Sequence, residues 1–114
     1  MASPVALIEF PADDLERARS FWSGLLGLVL EPRNEGEGAQ TRTAAPAVGV
    51  HARGRGPGDS FSLPYFEVSD MAATLAQVPA LGGSVVHAGE VWAVCKDSEG
   101  SPFGLALRGR TNQP

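Results

Sequence analysis

Residues 5–27 read VALIEFPADDLERARSFWSGLLG, and this stretch decides the fold because it joins a short apolar strand to an amphipathic helix. Val5–Phe10 is apolar apart from Glu9, a pattern typical of a short β-strand. Asp13 with Glu16 three residues later resembles a capping box, so we expect a helix to begin there. Apolar side chains then recur at helical spacing until Gly27, at Leu15, Ala18, Trp22 and Leu25.

The same pattern returns 56 positions later, over residues 61–83, as FSLPYFEVSDMAATLAQVPALGG. The pairs at this offset are Leu7 and Leu63, Phe10 and Phe66, Asp14 and Asp70, Leu25 and Leu81, Gly27 and Gly83, and Val29 and Val85. Near the ends of the two copies, GVHARGR at 49–55 resembles GLALRGR at 104–110, at an offset of 55. Either match alone could arise by chance, whereas both together favour an internal duplication.

Each copy continues with three short strands. In the first copy we predict them at Leu28–Glu31, Thr41–Thr43 and Ala47–Ala52, with a polar turn over 32–39. In the second copy we predict a first strand at Ser62–Val68, followed by a helix that begins at Asp70 and is shortened or bent by Pro79. Three more strands follow, at Ser84–His87, Val91–Cys95 and Phe103–Leu107. The stretch 53–59 between the copies is too rich in glycine and proline for regular structure.

The fold class that follows is α+β. One βαβββ unit cannot bury both faces of its sheet, so we predict two tandem βαβββ modules forming an open, barrel-like sheet around a cavity, with the helices outside. We place residues 1–114 in a single domain, because a chain of this length suits one hydrophobic core. Module 1 covers about 4–53, the linker about 54–59 and module 2 about 60–110.

Composition excludes several classes of function. The 13 acidic and 9 basic residues give a net charge of -4, whereas a nucleic-acid binder normally carries a basic excess, so we expect no nucleic-acid partner. No apolar run approaches the roughly 20 residues of a membrane span, and the N-terminus has no basic signal-peptide region. We therefore expect no membrane partner and a cytoplasmic location. Cys95 is the only cysteine, which excludes an internal disulfide and a cysteine-based zinc cluster.

Three groups of segments carry a family resemblance: FPADDLERARSFW at 10–22 with Leu26-Gly27, YFEVSD at 65–70 with ALGG at 80–83, and DSEGSPFG at 97–104. In their order and spacing they resemble the glyoxalase/bleomycin resistance protein/dioxygenase superfamily, also called the vicinal oxygen chelate (VOC) superfamily. This resemblance implies paired βαβββ modules around a cavity, and often a homodimer. The open edges of a short sheet also favour pairing of two copies.

In metal-using members of that superfamily, the ligands are commonly histidine and glutamate, near the start of each module's first strand and on its last strand. The corresponding first-strand positions here are Leu7 and Leu63, and the last-strand positions are Gly104 and, in the first module, Val48 or Gly49. None of these side chains can bind a metal ion. The resemblance therefore implies a metal-ligand-less, glyoxalase-like member, and we expect no metal and no other cofactor.

Strand alternation selects candidate ligand-binding residues. Glu9 shares a strand face with Leu7, and Tyr65 and Glu67 share one with Leu63, so these five side chains are expected to line the cavity. Structural roles are the alternative for each polar one: Glu9 in a pair with an arginine, or Glu67 at a solvated strand end.

Trp92 and His51 complete the candidate set. Trp92 lies on a predicted strand, where its ring either stacks on a planar ligand or fills the core. His51 is a candidate pocket residue, although the spacing of His51 and His87 matches no compact metal-ligand motif. The structural alternative is that His51 ends a strand and His87 lies on a partly exposed one. No residue is assigned a catalytic role.

The leading functional hypothesis is a metal-independent, small-molecule-binding protein, comparable to drug-sequestering members of the superfamily and possessing a cleft for a planar or cationic compound. One alternative is a metal-dependent lyase or isomerase of the glyoxalase type, with a non-standard ligand set. Another is a non-catalytic assembly module with a collapsed apolar interior. The fold does not distinguish these hypotheses, because function resides in the site.

Overall fold

A computed structural model describes residues 4–33, 38–56 and 58–109. The elements in chain order are β1 (Val5–Ala12), α1 (Leu15–Leu26), β2 (Glu31–Pro32), β3 (Ala39–Gln40), β4 (Ala47–Ala52), β5 (Leu63–Val68), α2 (Met71–Ala80), β6 (Ser84–His87), β7 (Trp92–Lys96) and β8 (Pro102–Leu107). They form two successive βαβββ units, and the predicted α+β class is confirmed. Neither helix of the described residues is long and apolar enough to cross a bilayer.

All eight strands of the described residues form one open sheet in the order β2-β3-β4-β1-β5-β8-β7-β6. The first strands of the two units, β1 and β5, are antiparallel neighbours at the centre of this sheet. Each also pairs in parallel with the last strand of its own unit, β1 with β4 and β5 with β8. The prediction of an open sheet is confirmed, and the sheet does not close into a barrel.

Both helices begin at an aspartate. Asp14 and Asp70 each accept a hydrogen bond of 3.0 Å from the backbone N–H three residues later. Such a cap is typically worth about 1 kcal/mol, because it satisfies an N–H group that has no partner inside the helix. The helix start predicted at Asp13 is one residue too early, since Asp13 instead pairs with Arg53 at 3.0 Å. Helix α2, with Pro79 in its last turn, is the shorter one, at 10 residues against 12.

Both helices pack on the same face of the sheet. Trp22 of α1 stacks on Phe10 of β1, with ring centroids 4.5 Å apart. The buried residues on this face are Leu30, Ala39 and Val50 in the first unit and Val68, Met71, Ala93, Cys95 and Leu105 in the second. Side chains alternate along a strand, so the neighbours of these residues point to the opposite face. We call that opposite face the helix-free face; it carries Leu7, Glu9, Leu63, Tyr65, Glu67 and Trp92.

The strand expected at Leu28–Glu31 is wrong over most of its length, since β2 covers only Glu31–Pro32. Leu30 is buried beneath α1, and its carbonyl oxygen accepts a hydrogen bond of 2.7 Å from Arg19 Nη2. At Leu30 the Arg19 side chain therefore supplies the hydrogen bond that a neighbouring strand would otherwise make. The polar turn expected over 32–39 falls partly outside the described residues, which omit 34–37.

The strand expected at Thr41–Thr43 is also wrong, because β3 lies just before it at Ala39–Gln40. Thr41 closes a turn instead of extending the strand. Its N–H donates to the Val48 carbonyl at 2.9 Å, and its hydroxyl accepts from the Val48 N–H at 2.9 Å. Side-chain hydrogen bonds of this kind compete with strand pairing.

Part of the apolar stripe predicted for α1 is exposed. Leu15, Ala18 and Trp22 pack against the core as expected, but Leu25 is 62% exposed. The prediction that Leu25 is buried is wrong, because α1 contacts the core chiefly through its first two turns. Phe21, Leu25 and Leu26 together form what we call the exposed apolar patch of α1.

The linker predicted between the modules has no helix or strand in its described residues; Pro57, and Arg110 at the end of module 2, lie outside them. Asp59 organises the linker by accepting a hydrogen bond from the Gly56 N–H at 2.9 Å. Gly58 lies against the side chains of Leu63 and Val94, where a Cβ atom would approach Leu63 Cδ1 to 2.8 Å. The linker therefore covers part of the helix-free face.

Candidate functional site

The helix-free face brings together three of the predicted site residues. Tyr65 and Trp92 meet edge to face, with ring centroids 5.3 Å apart. Glu9 lies on the neighbouring strand β1, where it pairs with Leu63, two positions from Tyr65. None of the three side chains points to the helix-covered face. Their proposed contact with a ligand remains a prediction.

A buried ion pair lies at the centre of this face. Arg33 Nη2 donates to Glu9 Oε2, and the two side chains are only 6% and 9% exposed. Arg33 Nε also donates to Gln40 Oε1 at 3.1 Å, and Gln40 is itself buried. A buried carboxylate without such partners would be strongly destabilising. Pairing with an arginine, the structural alternative for Glu9, is therefore what the structure contains.

His51 lies beside this ion pair, in the position predicted at the end of its strand. Its Nε2 is 3.9 Å from Glu9 Oε1, and its side chain is 15% exposed. Its Nδ1 is 2.9 Å from the Ala52 carbonyl oxygen, so Nδ1 carries the proton, because a carbonyl oxygen can only accept. The other histidine, His87, is exposed on the edge strand β6 and does not join this group.

Two glycines make room for the polar and aromatic side chains. Gly49 is the strand partner of Glu9, and a Cβ atom there would lie 2.6 Å from Glu9 Oε2 and closer still to Arg33. Gly104 is the strand partner of Tyr65, and a Cβ atom there would lie 2.7 Å from Tyr65 Cγ and closer to two other ring carbons. The ion pair and the tyrosine ring thus fill the space beside the two last-strand positions where the family resemblance implies metal ligands.

The residues at this centre do not fit a metal ion. Leu7 and Leu63 occupy the two first-strand ligand positions and are both 1% exposed, so each presents only hydrocarbon. The carboxylate of Glu9 already binds the Arg33 guanidinium. Across the described part of the chain, no three histidine, cysteine, aspartate or glutamate side chains gather closely enough to hold a metal.

Tyr65 has a strongly perturbed hydroxyl. Burial raises the pKa of Tyr65 to about 12; the negative charges of Glu9 and, more weakly, Asp59 add to this rise, whereas Arg33 opposes it. The physical cause is that a phenolate loses hydration here and lies near carboxylates. The hydroxyl therefore stays protonated, and able to donate a hydrogen bond, throughout the neutral pH range.

Glu67 lies on the same strand as Tyr65, at the rim of the site. Its Oε1 is 3.7 Å from Arg108 Nε, and the Glu67 side chain is 23% exposed. The strand register places Glu67 opposite Ala106, which is also the partner of Trp92. Glu67 is thus on the helix-free face as predicted, but paired with an arginine near the strand end.

Sequence reasoning missed Arg33 and Gln40. Arg33 belongs to the segment predicted as a polar turn, and nothing local to that segment marks it as a buried cation. The sequence signal that could have found them is the pair of matched glycines, Gly49 and Gly104. A glycine within a strand indicates that a neighbouring side chain lies close against the backbone there.

Comparison with known proteins places the chain among VOC-type structures. A family model described as a glyoxalase-like domain matches residues 7–106. No curated protein matches the sequence significantly.

Solved structures agree with the fold over nearly the full chain. A hypothetical protein from Bacillus halodurans C-125 superposes with a TM-score of 0.72 at 10% identity, covering 95% of this chain and 96% of the other. A Streptomyces coelicolor methylmalonyl-CoA epimerase in complex with 2-nitronate-propionyl-CoA gives 0.66 at 14% identity, with 96% and 99% covered. The methylmalonyl-CoA epimerase of Mycobacterium tuberculosis gives 0.60 at 15% identity, with 94% and 91% covered. At these identities the likeness concerns the fold alone.

Proposed function

The chain belongs to the glyoxalase-like domain family, and we propose that it is a metal-independent member that binds a planar small molecule on the helix-free face. The observation that carries this proposal is the buried Glu9–Arg33 pair. A guanidinium, whose positive charge is permanent, holds the buried carboxylate of Glu9, which could otherwise begin a metal site. The ligand positions that the family resemblance implies carry hydrocarbon or glycine, and the described residues supply no other donor set for a divalent ion.

The aromatic pair supports a planar ligand. Tyr65 and Trp92 bring two ring systems onto the helix-free face, held at 86° to each other. Ligand sites commonly combine such aromatic walls with a few polar groups that orient the bound molecule. Here the polar groups on the same face are the Tyr65 hydroxyl, the Glu9–Arg33 pair and Glu67.

Local charge favours a planar compound over a cationic one. Both carboxylates that the sequence predicts in the site face an arginine, Glu9 with Arg33 and Glu67 with Arg108. A carboxylate that is already paired attracts a cation less strongly, because its charge is compensated at short range. Planarity is therefore the property of the ligand that we propose, and a positive charge is not required.

Metal independence is tested by elemental analysis of protein purified without chelator. We expect no near-stoichiometric metal, and no turnover of methylglyoxal–glutathione adduct when nickel, zinc or manganese is added. A Lewis acid is needed to stabilise the enediolate of that reaction, and these residues supply no site for one. Bound metal together with metal-stimulated turnover would refute the proposal and support a lyase or isomerase.

Ligand binding is tested with three bicyclic probes of nearly the same shape: naphthalene, quinoline and N-methylquinolinium. The chain has two tryptophans, on opposite faces of the sheet, so their indole N–H resonances report on the two faces separately. We expect an uncharged bicycle to shift the Trp92 resonance and leave that of Trp22 unchanged; a Trp22→Phe variant assigns the signals. If neither uncharged probe shifts Trp92, the proposal is wrong; binding of N-methylquinolinium alone would favour the cationic alternative.

A further inference from the structure

The Tyr65 hydroxyl is an unused hydrogen-bond donor on the helix-free face. Within residues 4–33, 38–56 and 58–109 it makes no hydrogen bond. Every fully buried side-chain nitrogen or oxygen of the described residues has a partner. Because the Tyr65 oxygen has none, it is not sealed inside the protein and can be reached from the site.

The tyrosine ring is held firmly even though its hydroxyl is unpaired. One side of the ring rests on Gly104, where even a Cβ atom would be too close, and Trp92 contacts it edge to face at 5.3 Å. A ring fixed in this way aims its hydroxyl in one direction and loses little conformational freedom when it binds a ligand.

The two carboxylates that act electrostatically on Tyr65 already have partners. The Glu9 carboxylate binds Arg33, and the Asp59 carboxylate accepts from the Gly56 N–H. The hydroxyl keeps its proton across the neutral range, since its pKa is raised to about 12. Among the described residues the hydroxyl thus has no hydrogen-bond acceptor, and it is able to donate.

From this juxtaposition we infer that the ligand is a planar compound with a lone-pair acceptor, such as a ring nitrogen or a carbonyl oxygen, and that Tyr65 donates a hydrogen bond to it. The inference rests on the proposed function and adds the class of ligand. It also assigns Tyr65 a role beyond that of an aromatic wall. Because the ring is already held, an acceptor on the ligand can form this hydrogen bond with little further loss of conformational freedom.

The test compares quinoline with naphthalene, two uncharged bicycles that differ by one acceptor nitrogen, in wild-type protein and in Tyr65→Phe. Phenylalanine keeps the ring between Gly104 and Trp92 and removes only the hydroxyl, and thermal unfolding checks that the variant is folded. Dissociation constants are measured by calorimetry or from the Trp92 indole resonance.

We expect the ratio of quinoline to naphthalene affinity to fall by about three- to tenfold in Tyr65→Phe, the range for one neutral hydrogen bond; using the ratio cancels any change in the ring that affects both probes. An unchanged ratio, with both probes still bound, would overturn the inference and leave the proposed function standing. If neither probe binds the wild-type protein, the proposed function fails and the inference fails with it.

Discussion

The substitution Gly104→Ala tests the central packing of the site. A Cβ atom at Gly104 would lie 2.7 Å from Tyr65 Cγ and nearer to two other ring carbons, whereas real Cβ contacts are essentially never under 3.0 Å. The backbone cannot easily move away, because Gly104 is paired on both sides, with Tyr65 on β5 and Val94 on β7. The tyrosine ring must therefore shift, or the sheet must distort.

The magnitude follows from two opposing effects. Replacing a strand glycine by alanine removes chain entropy from the unfolded state and would stabilise the protein by about 0.5–1 kcal/mol. Overpacking a filled site costs about 1–3 kcal/mol. The overpacking cost is larger, so we expect a net loss of roughly 1–2 kcal/mol, which lowers Tm by about 4–8 °C for each kcal/mol in a domain near this size.

Differential scanning calorimetry measures the change, with Gly24→Ala as the matched control. Gly24 lies within α1 and has no atom within 4 Å of a built Cβ, so alanine there should stabilise by about 1 kcal/mol. The cost of Gly104→Ala should largely disappear in a Tyr65→Ala background. A Gly104→Ala protein as stable as the wild type, or an equal cost in both backgrounds, would refute the steric reasoning.

Three further predictions concern the charges and the assembly. The pKa of Tyr65, raised from 10.0 to about 12, means that the folded state holds the phenol proton more tightly, so stability present below pH 10 should decrease as pH rises from about 10 to 12. Because the chain has one tyrosine, phenolate absorbance should show a single transition, and a midpoint near 10 in folded protein would contradict this. Arg33→Met removes the partner of buried Glu9 and should lower the free energy of unfolding, measured with denaturant, by roughly 3–5 kcal/mol. Arg42→Met breaks the pair with Glu31, in which the side chains are 57% and 43% exposed, and should lower it by under about 1 kcal/mol. Equal losses would argue against a buried pair. Light scattering should give a mass near twice the 11.9 kDa of one chain, because the exposed apolar patch of α1 would be buried by contact with a second copy. The mass of a single chain would contradict the homodimer.

Local patterns predicted most of the fold. Strand β4 at Ala47–Ala52 and β6 at Ser84–His87 have the predicted bounds, because apolar runs between turn residues define short strands without tertiary help. Asp70 caps its helix as predicted for the same local reason. The two wrong strand predictions have different causes. At Leu28–Glu31 the Arg19 side chain binds the Leu30 carbonyl, and at Thr41–Thr43 the hydrogen bonds of Thr41 close a turn.

Strand alternation also determined which face each candidate residue occupies. A period of two places Glu9 with Leu7, and Tyr65 with Leu63, whatever the rest of the molecule does. The chemistry of those residues depended on contacts between distant parts of the chain. Arg33 reaches Glu9 across 24 positions, and Trp92 reaches Tyr65 across the intervening strand β8.

The sequence by itself determined the two βαβββ units, the alternation of faces and the loss of the implied metal ligands, because all three depend on residue types and on spacing along the chain. Only the tertiary structure decided that a guanidinium fills the centre, that two glycines accommodate it and the tyrosine ring, and that the Tyr65 hydroxyl has no hydrogen-bond partner in the part of the chain that the structure describes. The physical reason is that burial and pairing depend on which surfaces meet when the sheet assembles. Neighbours along the chain do not specify those contacts.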